Sequence, residues 1–348
     1  MSELRRDPTL GYWTIMASER GWRPAEYTSK KIAEEQRECP FCEGKESMTT
    51  SEIFAIRKPG SQPNAPGWEV RSIMSKIPIL KDVTGGDWQE SMGHGVYDVR
   101  EGIGRHEVVV ETPQHHQDLD NFSLEHIQKV IKAYAERIRA AEKNSTFEYA
   151  LLFKNHGLVS GAARDVIRHS RSQLIALPII PKRIREQLAM TKNYYERRER
   201  CLFCDILRKE SAEGSRIVVQ NDSFFAYCPF ASRSPFEISI FPKKHTADFT
   251  AMEELLYPDL AWILKQCLVR LRNLLDDPPY NLILNTAPFR HKKQKTYWKT
   301  IEQDYHWSWQ ITPRLTMNAG FEWGTGIHIN PTPPEEAAAL LREASGDE

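Results

Sequence analysis

Two Cys-x-x-Cys pairs are the residues in this sequence whose types and spacing indicate chemistry most directly. One pair is Cys39 and Cys42, and the other is Cys201 and Cys204. Pairs with this spacing either exchange disulfides or hold a metal ion with two thiolates from one turn of chain. Neither pair is predicted to open a helix after a strand in a βαβ unit, which favours metal binding. A closed tetrahedral zinc site then needs two further ligands, and distant histidines can supply them.

A second polar group lies in the middle of the chain. His169, Arg171 and Gln173 alternate in the sequence His-Ser-Arg-Ser-Gln, ahead of an apolar run typical of a buried strand. Alternate residues of a strand point to the same face of a sheet, so these side chains are expected to lie together. A guanidinium binds anions but keeps its proton in proteins. Arg171 therefore cannot act as a nucleophile.

The elements that must position these residues occur in the same order in both halves of the chain. Each half has a Cys-x-x-Cys pair, strands, a histidine, an amphipathic helix, a strand, and a histidine followed four residues later by a glutamine. The helices are predicted over residues 123–142 and 255–275, and Ser123 is a suitable N-cap for the first. Ser308 and Gln310 of the second half correspond to Arg171 and Gln173. We interpret this order as an internal duplication that gives two antiparallel sheets with covering helices.

The composition excludes several classes of partner. Lys and Arg together number 47, as do Asp and Glu, so the net charge is zero and no overall field attracts nucleic acid or an anionic membrane. The 348 residues, of which 40% are hydrophobic, suffice for one large or two medium domains. No apolar run approaches the length of a membrane span, and the N-terminus is too charged for a signal peptide. We expect a cytoplasmic protein with no nucleic-acid or membrane partner.

The segments Asn155-His-Gly and His169-Ser-Arg-Ser-Gln173 together resemble the active-site strand of the galactose-1-phosphate uridylyltransferase family. This family is a branch of the histidine-triad superfamily, and its pattern is His-x-His-x-Gln. The sequence departs from the pattern at Arg171, where the family keeps its nucleophilic histidine. The resemblance implies an α+β fold of two histidine-triad-like repeats, each an antiparallel sheet with covering helices, joined into one half-barrel-like unit. Residues 1–190 would form the first repeat and residues 197–348 the second.

The resemblance also implies which histidines complete the metal sites. His116 is an alternative to His115 in the first site. Both sites would be closed structural zinc sites, so the expected cofactor is two Zn²⁺ ions. The implied ligands are Cys39, Cys42, His115 and His169 in the first repeat and Cys201, Cys204, His245 and His306 in the second.

Substrate-binding roles follow from the same resemblance. Gln173 and Asn155 match residues that hydrogen-bond phosphoryl oxygens, Arg20 and Arg23 match arginines near substrate phosphates, and Glu322 matches a carboxylate that binds sugar hydroxyls. Family members transfer a nucleotidyl group from a nucleotide sugar through a covalent histidine intermediate. They are usually homodimers, so a homodimer is expected here.

The departure at Arg171 leads to two hypotheses about function. The first is a nucleotidyltransferase, of the hexose-1-phosphate uridylyltransferase or nucleotide phosphorylase type, that acts on a nucleoside diphosphate sugar or related phosphoanhydride by direct in-line transfer. Arg171 and Gln173 would then act on the phosphates. The alternative is a catalytically inactive homologue that binds a nucleotide sugar and acts as a regulator. A zinc hydrolase would need an open metal position, which two complete four-ligand sites do not offer.

Overall fold

The computed structural model describes residues 2–20, 24, 27, 38–82, 96, 97, 99, 101–157, 160, 168–291 and 299–345. Its main element is an open antiparallel sheet of ten strands. In chain order these strands are β3 (Glu52–Arg57), β4 (Trp68–Met74), β5 (Arg105–Val110), β6 (Tyr149–His156), β7 (Arg171–Leu177), β8 (Ile217–Gln220), β9 (Phe224–Tyr227), β10 (Ile238–Pro242), β11 (Tyr280–Asn285) and β12 (Ser308–Pro313).

A smaller sheet of three strands joins the two ends of the chain. It consists of β1 (Glu3–Arg6), β2 (Trp13–Met16) and β13 (His328–Asn330), with β13 parallel to β2. The described residues also form seven α-helices. They are α1 (Leu124–Glu142), α2 (Lys182–Arg198), α3 (Leu202–Glu213), α4 (Tyr257–Leu275), α5 (Ile301–Asp304), α6 (Gly320–Thr325) and α7 (Pro334–Glu343).

The strand order of the large sheet confirms the predicted duplication. The order is β3-β4-β5-β7-β6 in the first repeat, followed by β11-β12-β10-β9-β8 in the second. Counted from each edge of the sheet toward its centre, the strands of the two repeats therefore follow the same order. The repeats meet where β6 pairs antiparallel with β11. The predicted α+β fold is confirmed, and the sheet is not a closed barrel. The boundary between residues 190 and 197 stays a prediction, because the repeats share one sheet.

Helices α1 and α4 cover one face of this sheet, as their apolar spacing predicted. The Ser123 side chain accepts a hydrogen bond from the His126 backbone N–H at 3.2 Å and caps α1. The buried residues of α1 and α4 pack with Leu152, Leu174 and Leu282 from the sheet into the main hydrophobic core. Burial of these apolar faces supplies the main driving force that fixes the helices on the sheet.

The opposite face of the sheet is covered differently in the two repeats. In the second repeat, α2 and α3 pack over it, with Leu188 and Phe203 beside Phe225 and Phe241 in a separate core. Cys201 is the N-cap residue of α3, so the second Cys-x-x-Cys pair does open a helix. This helix follows α2 rather than a strand, so the pair still does not lie in the βαβ unit that is typical of disulfide exchange. No helix among the described residues is long and apolar enough to cross a membrane.

Candidate active site and metal centres

The first Cys-x-x-Cys pair lies beside two histidines in the geometry of a metal centre. The ligand atoms of Cys39, Cys42, His115 and His169 all lie within 4.8 Å of one another. Cys42 Sγ is 3.4 Å from His115 Nδ1, and Cys39 Sγ is 3.6 Å from His169 Nδ1. A tetrahedral zinc ion with ordinary Zn–S and Zn–N bond lengths separates its S and N ligands by about 3.6 Å. The residues present therefore fit this ion.

The second repeat has an equivalent centre. Cys201, Cys204, His245 and His306 form its group, again with all ligand atoms within 4.8 Å. Cys204 Sγ is 3.3 Å from His245 Nδ1 and 3.7 Å from His306 Nδ1. The structure thus brings together both predicted sets of four ligands.

Hydrogen bonds set the histidines of both centres in the tautomer that a metal ion requires. His169 Nε2 donates to the Thr112 backbone oxygen at 2.6 Å, and His245 Nε2 donates to the Glu302 backbone oxygen at 2.9 Å. The Nδ1 lone pairs are therefore left facing the cysteines. Burial lowers the pKa of His169 to about 4, which keeps its ring neutral at neutral pH.

The two cysteines of the first centre also favour a bound cation. Burial, followed by the neighbouring Cys39, raises the pKa of Cys42 to about 11. Two thiolates side by side need a positive charge between them, and a metal ion would supply it. Of the two alternatives for the third ligand, His115 belongs to the group, whereas His116 packs edge-on against its ring with the ring centroids 4.7 Å apart.

Arg171 begins β7 next to the first centre. Its guanidinium donates to the His169 backbone oxygen at 3.1 Å and lies 5.4 Å from the ring centroid of Phe41, which stands between Cys39 and Cys42. Burial lowers the pKa of Arg171, but the guanidinium stays protonated at neutral pH because its ordinary pKa is so high. A positive charge is thus held at the start of β7, beside the first centre.

Gln173 is oriented by a histidine that the sequence analysis missed. His106 Nδ1 accepts a hydrogen bond from the Ile79 N–H at 3.4 Å, so its proton is on Nε2 and is donated to Gln173 Oε1 at 2.8 Å. With its oxygen engaged, Gln173 presents its amide N–H groups. Both nitrogens of His106 are occupied, so this histidine is not a substitute nucleophile. The sequence signal was a polar residue at the start of the apolar strand β5.

The side chain of Asn155, like that of Gln173, is oriented with its amide oxygen engaged. It lies two residues beyond Phe153, which pairs with Gln173, and so faces the same side of the sheet. Asn281 Nδ2 donates to Asn155 Oδ1 at 2.8 Å, which leaves the amide N–H groups of Asn155 to act as donors. The chain then turns at Gly157, where φ is 75° and an added Cβ would lie 2.8 Å from the Pro279 Cβ. Only glycine fits this turn without strain.

A buried charged network holds β7 from the opposite face. Glu111 is fully buried and Lys154 is 2% exposed, and the Lys154 Nζ lies 2.7 Å from Glu111 Oε2 and 2.9 Å from Asp118 Oδ1. The Ser170 hydroxyl donates to Glu111, and the Ser172 hydroxyl does so as well. Since Ser170 and Ser172 flank Arg171, this network fixes the strand that carries the arginine.

His156 links this network to the second repeat. Its ring bridges Asp118 Oδ2 at 3.0 Å and Asp277 Oδ1 at 2.9 Å, and it stacks on Tyr280. Although burial opposes it, the two carboxylates raise the pKa of His156 to about 9. The ring is therefore an imidazolium at neutral pH.

The stability of the protein should depend on this imidazolium. Because the folded pKa lies above the ordinary value, the contribution is fully present below pH about 6.5 and is lost as the pH rises through about 9. We expect His156→Gln to destabilise the protein most at about pH 6, with the difference shrinking by roughly 3 kcal/mol by about pH 9.5. Denaturant unfolding at both pH values measures this difference. His291→Gln, whose wild-type ring donates to the Phe147 backbone oxygen, is the control. A difference independent of pH would contradict the bridge.

Three predicted substrate residues lie elsewhere or are not described. Arg20 ends a short helical turn, Ser18–Arg20, and Arg23 lies outside the described residues. Glu322 is in α6, where its carboxylate accepts a hydrogen bond from the Ala319 N–H at 2.7 Å. Its charge acts on His328 in β13, and no contact among the described residues joins it to Arg171. Within one chain, Glu322 is therefore on the side of the second repeat.

The chain thus forms an open sheet of two equivalent repeats, with a Cys₂His₂ group in each and an oriented amide pair beside the first. The chain belongs to the galactose-1-phosphate uridylyltransferase family of nucleotidyltransferases, as its motifs predicted. Residues 187–345 match the family model described as the C-terminal domain of galactose-1-phosphate uridyl transferase. Residues 96–180 match the N-terminal domain model of a family of unknown function, DUF4931.

Particular relatives extend over nearly the whole chain. The ADP-glucose phosphorylase of Arabidopsis thaliana is 33% identical, with 99% of this chain and 93% of the relative covered. The galactose-1-phosphate uridylyltransferase of Thermotoga maritima is 28% identical, with 99% and 98% covered. The crystal structure of the Arabidopsis ADP-glucose phosphorylase with bound ADP-glucose matches with a TM-score of 0.80 at 31% identity, covering 99% of this chain and 100% of that one. These relatives are enzymes.

Proposed function

We propose that the protein transfers a nucleotidyl group from a nucleoside diphosphate sugar directly to a phosphate acceptor, without a covalent histidine intermediate. The observation that carries this proposal is the set of donors on one face of β6 and β7, namely the Arg171 guanidinium and the amides of Gln173 and Asn155. The similarity to ADP-glucose phosphorylase makes ADP-glucose the first substrate to test, with inorganic phosphate as the acceptor.

The proposed reaction balances without a protein nucleophile. An oxygen of the acceptor phosphate forms a bond to the α-phosphorus, and the bond from that phosphorus to the sugar phosphate breaks. The sugar phosphate leaves with the bonding electrons, so ADP-glucose and phosphate would give ADP and glucose 1-phosphate. Negative charge on the transferring phosphoryl oxygens would be stabilised by Arg171 and by the amide donors, which are already oriented before the substrate binds.

The Gln173 amide should contribute strongly to this reaction. Because removal of one oriented donor commonly costs about 10²–10³ in kcat, we expect Gln173→Ala to lower turnover of ADP-glucose by that order. Glucose 1-phosphate formation, measured by chromatography, reports the rate. Gln303→Ala, on the exposed side of α5, is the matched control and should retain turnover. Equal rates in both variants would contradict the assigned role.

A second candidate function is nucleotide-sugar binding without turnover. The observation that favours it is the absence of a nucleophilic histidine at both equivalent positions, Arg171 and Ser308. Incubation with UDP-glucose, ADP-glucose, adenylyl sulfate and diadenosine polyphosphates, each with phosphate or galactose 1-phosphate, separates the two functions. Any product that depends on Gln173 excludes the inactive protein.

We also propose that both Cys₂His₂ groups hold structural zinc. The donor set is the one that zinc prefers, and all four ligands in each group come from the protein, so no position is left for a substrate. Zinc would hold together segments distant in sequence and so supply folding energy. Metal-bound cysteines are typical of a reducing compartment, and we propose a cytoplasmic location.

A homodimer is proposed on the basis of Glu322. This carboxylate lies on the side of the second repeat in its own chain, on an exposed helix that also carries Trp323, 78% exposed. In a symmetric dimer, the α6 segment of one protomer would bring Glu322 to the Arg171 face of its partner. Light scattering should give twice the mass of the chain, and a monomer at working concentration would contradict the dimer.

A further inference from the structure

The second repeat contains a cavity of about 360 Å³ on the sheet face that corresponds to the Arg171 face of the first repeat. Ser308 and Gln310 of β12 lie in its floor, at the positions equivalent to Arg171 and Gln173. The walls come from the turn after β1, from α2 and from α3, and the lining includes Leu10, Arg183 and Phe203. Its volume is within the range of small-molecule sites.

The side-chain amide of Gln310 in this cavity is oriented opposite to the amide of Gln173 in the first repeat. Ser239 pairs with Gln310 as Val108 pairs with Gln173, so Glu237 stands where His106 stands in the first repeat. Gln310 Nε2 donates to the Glu237 carboxylate, whereas Gln173 accepts from His106. Gln310 Oε1 consequently faces Arg183 and accepts from its guanidinium at 3.1 Å.

This arrangement places a guanidinium, that of Arg183, against the amide of the second repeat. Arg183 lies in the first turn of α2, and its hydrogen bond to Gln310 is to a neutral group. No carboxylate oxygen of a described residue lies within 4.0 Å of it. Arg216, at another part of the lining, is by contrast paired with Glu210 at 2.9 Å and Glu335 at 2.7 Å. The remaining N–H groups of Arg183 are therefore available to an oxyanion in the cavity.

The rest of the lining suits the body of an organic ligand. Phe203, Tyr227 and Phe241 present aromatic surface, and Ile206 adds aliphatic surface. A partly buried guanidinium without a paired anion is costly, and a bound oxyanion would offset that cost. Aromatic walls beside the Arg183 guanidinium fit a compact ring that carries one anionic group.

We propose that this cavity is a second ligand site, which binds a small organic oxyanion through Arg183 with its ring against the aromatic wall. The anionic group is a phosphate ester or a carboxylate, since a guanidinium fork matches both. The site is separate from the proposed nucleotidyl-transfer site, because it lies against β12 of the second repeat and uses other residues. Loss of one site is therefore distinguishable from loss of the other.

Calorimetric titration tests the proposal with phenyl phosphate, benzoate and inorganic phosphate as probes. We expect the wild-type protein to bind phenyl phosphate or benzoate, with the stronger of the two identifying the anionic group, and inorganic phosphate to bind more weakly than either. Arg183→Gln should weaken the binding of the ring-bearing probe roughly 10- to 100-fold, because hydrogen bonds to a charged group are lost. Arg185→Gln, on the exposed side of the same helix, should bind as the wild type does, and Arg171→Gln should retain the Arg183-dependent binding.

A second variant keeps the test decisive if Arg183→Gln does not fold. Ser239→Phe adds a ring at the cavity floor, leaves every charge in place and should block the probe by filling the volume. The proposal is overturned if the wild-type protein binds neither ring-bearing probe at millimolar concentration. It is equally overturned if a folded Arg183→Gln or Ser239→Phe protein binds them as tightly as the wild type.

Discussion

Replacing Cys39 with serine is expected to lower the zinc content from two ions per chain to one and to destabilise the first repeat. Cys39, Cys42, His115 and His169 come from segments separated by up to 130 residues, so a zinc ion bound here would join distant parts of the chain. Structural zinc sites contribute folding free energy outright. Loss of a thiolate should therefore lower the unfolding midpoint as well as the metal content.

Elemental analysis with thermal unfolding measures both effects in protein purified without chelator. Cys201→Ser should remove the other ion and destabilise the second repeat instead. Cys228→Ala, a buried cysteine outside both centres, should retain two ions. Only trace zinc in the wild-type protein would refute the structural metal, and unchanged zinc in Cys39→Ser would show that Cys39 is not a ligand.

The second large effect is expected from Lys154→Met. The substitution removes the cation beside Glu111, which is fully buried and would be left as an uncompensated carboxylate. Breaking a buried pair from one side costs about 3–5 kcal/mol of unfolding free energy. Denaturant unfolding should show a loss of this size, and the double variant Lys154→Met with Glu111→Gln should recover part of it.

Lys129→Met is the matched control for that loss. Lys129 pairs with Glu69 at 2.6 Å, but its side chain is 38% exposed, so its removal should cost no more than about 1 kcal/mol. Equal losses in the Lys154 and Lys129 variants would mean that the Glu111 network does not hold β7.

Features specified locally were predictable from the sequence. Ser123 and the apolar spacing after it predicted α1 within one residue, because the cap and the buried face are set by neighbours in the chain. The order of motifs in the two halves predicted the duplication, but the pairing of β6 with β11 that joins the repeats was not predicted. The metal ligands were predictable once the family resemblance assigned His115 and His245, although the cysteines alone could not identify their partners.

Features that depend on long-range pairing were not predicted. His106 and Glu111 are polar residues at the two ends of the apolar strand β5, and in the sequence they resemble ordinary strand ends. Their roles arise only when β5 pairs with β7, which places His106 on one face beside Gln173 and Glu111 on the other beside Lys154. The inverted amide of Gln310 depends in the same way on Glu237, which directly precedes β10.

The break between α2 and α3 is a further feature that was not predicted. Here α2 ends at Arg198, Glu199 adopts φ 54°, and α3 begins after Cys201. A left-handed residue other than glycine gives no clear signal in the sequence. This break places Cys204 in the first turn of α3 and so builds half of the second centre.

Covalent labelling tests most directly the proposal that transfer occurs without a nucleotidyl-enzyme. ADP-glucose radioactive at the α-phosphorus would be mixed with the protein in the absence of phosphate, so that no acceptor removes a bound nucleotidyl group, and the protein would then be denatured and counted. Initial rates would be measured separately with phosphate present. Arg171→His, which places an imidazole beside Gln173, is the positive control and should acquire an acid-labile label. We predict that the wild-type protein forms glucose 1-phosphate with intersecting initial-rate lines and retains no label after denaturation. A label that survives denaturation in the wild-type protein, together with parallel initial-rate lines, would contradict direct transfer.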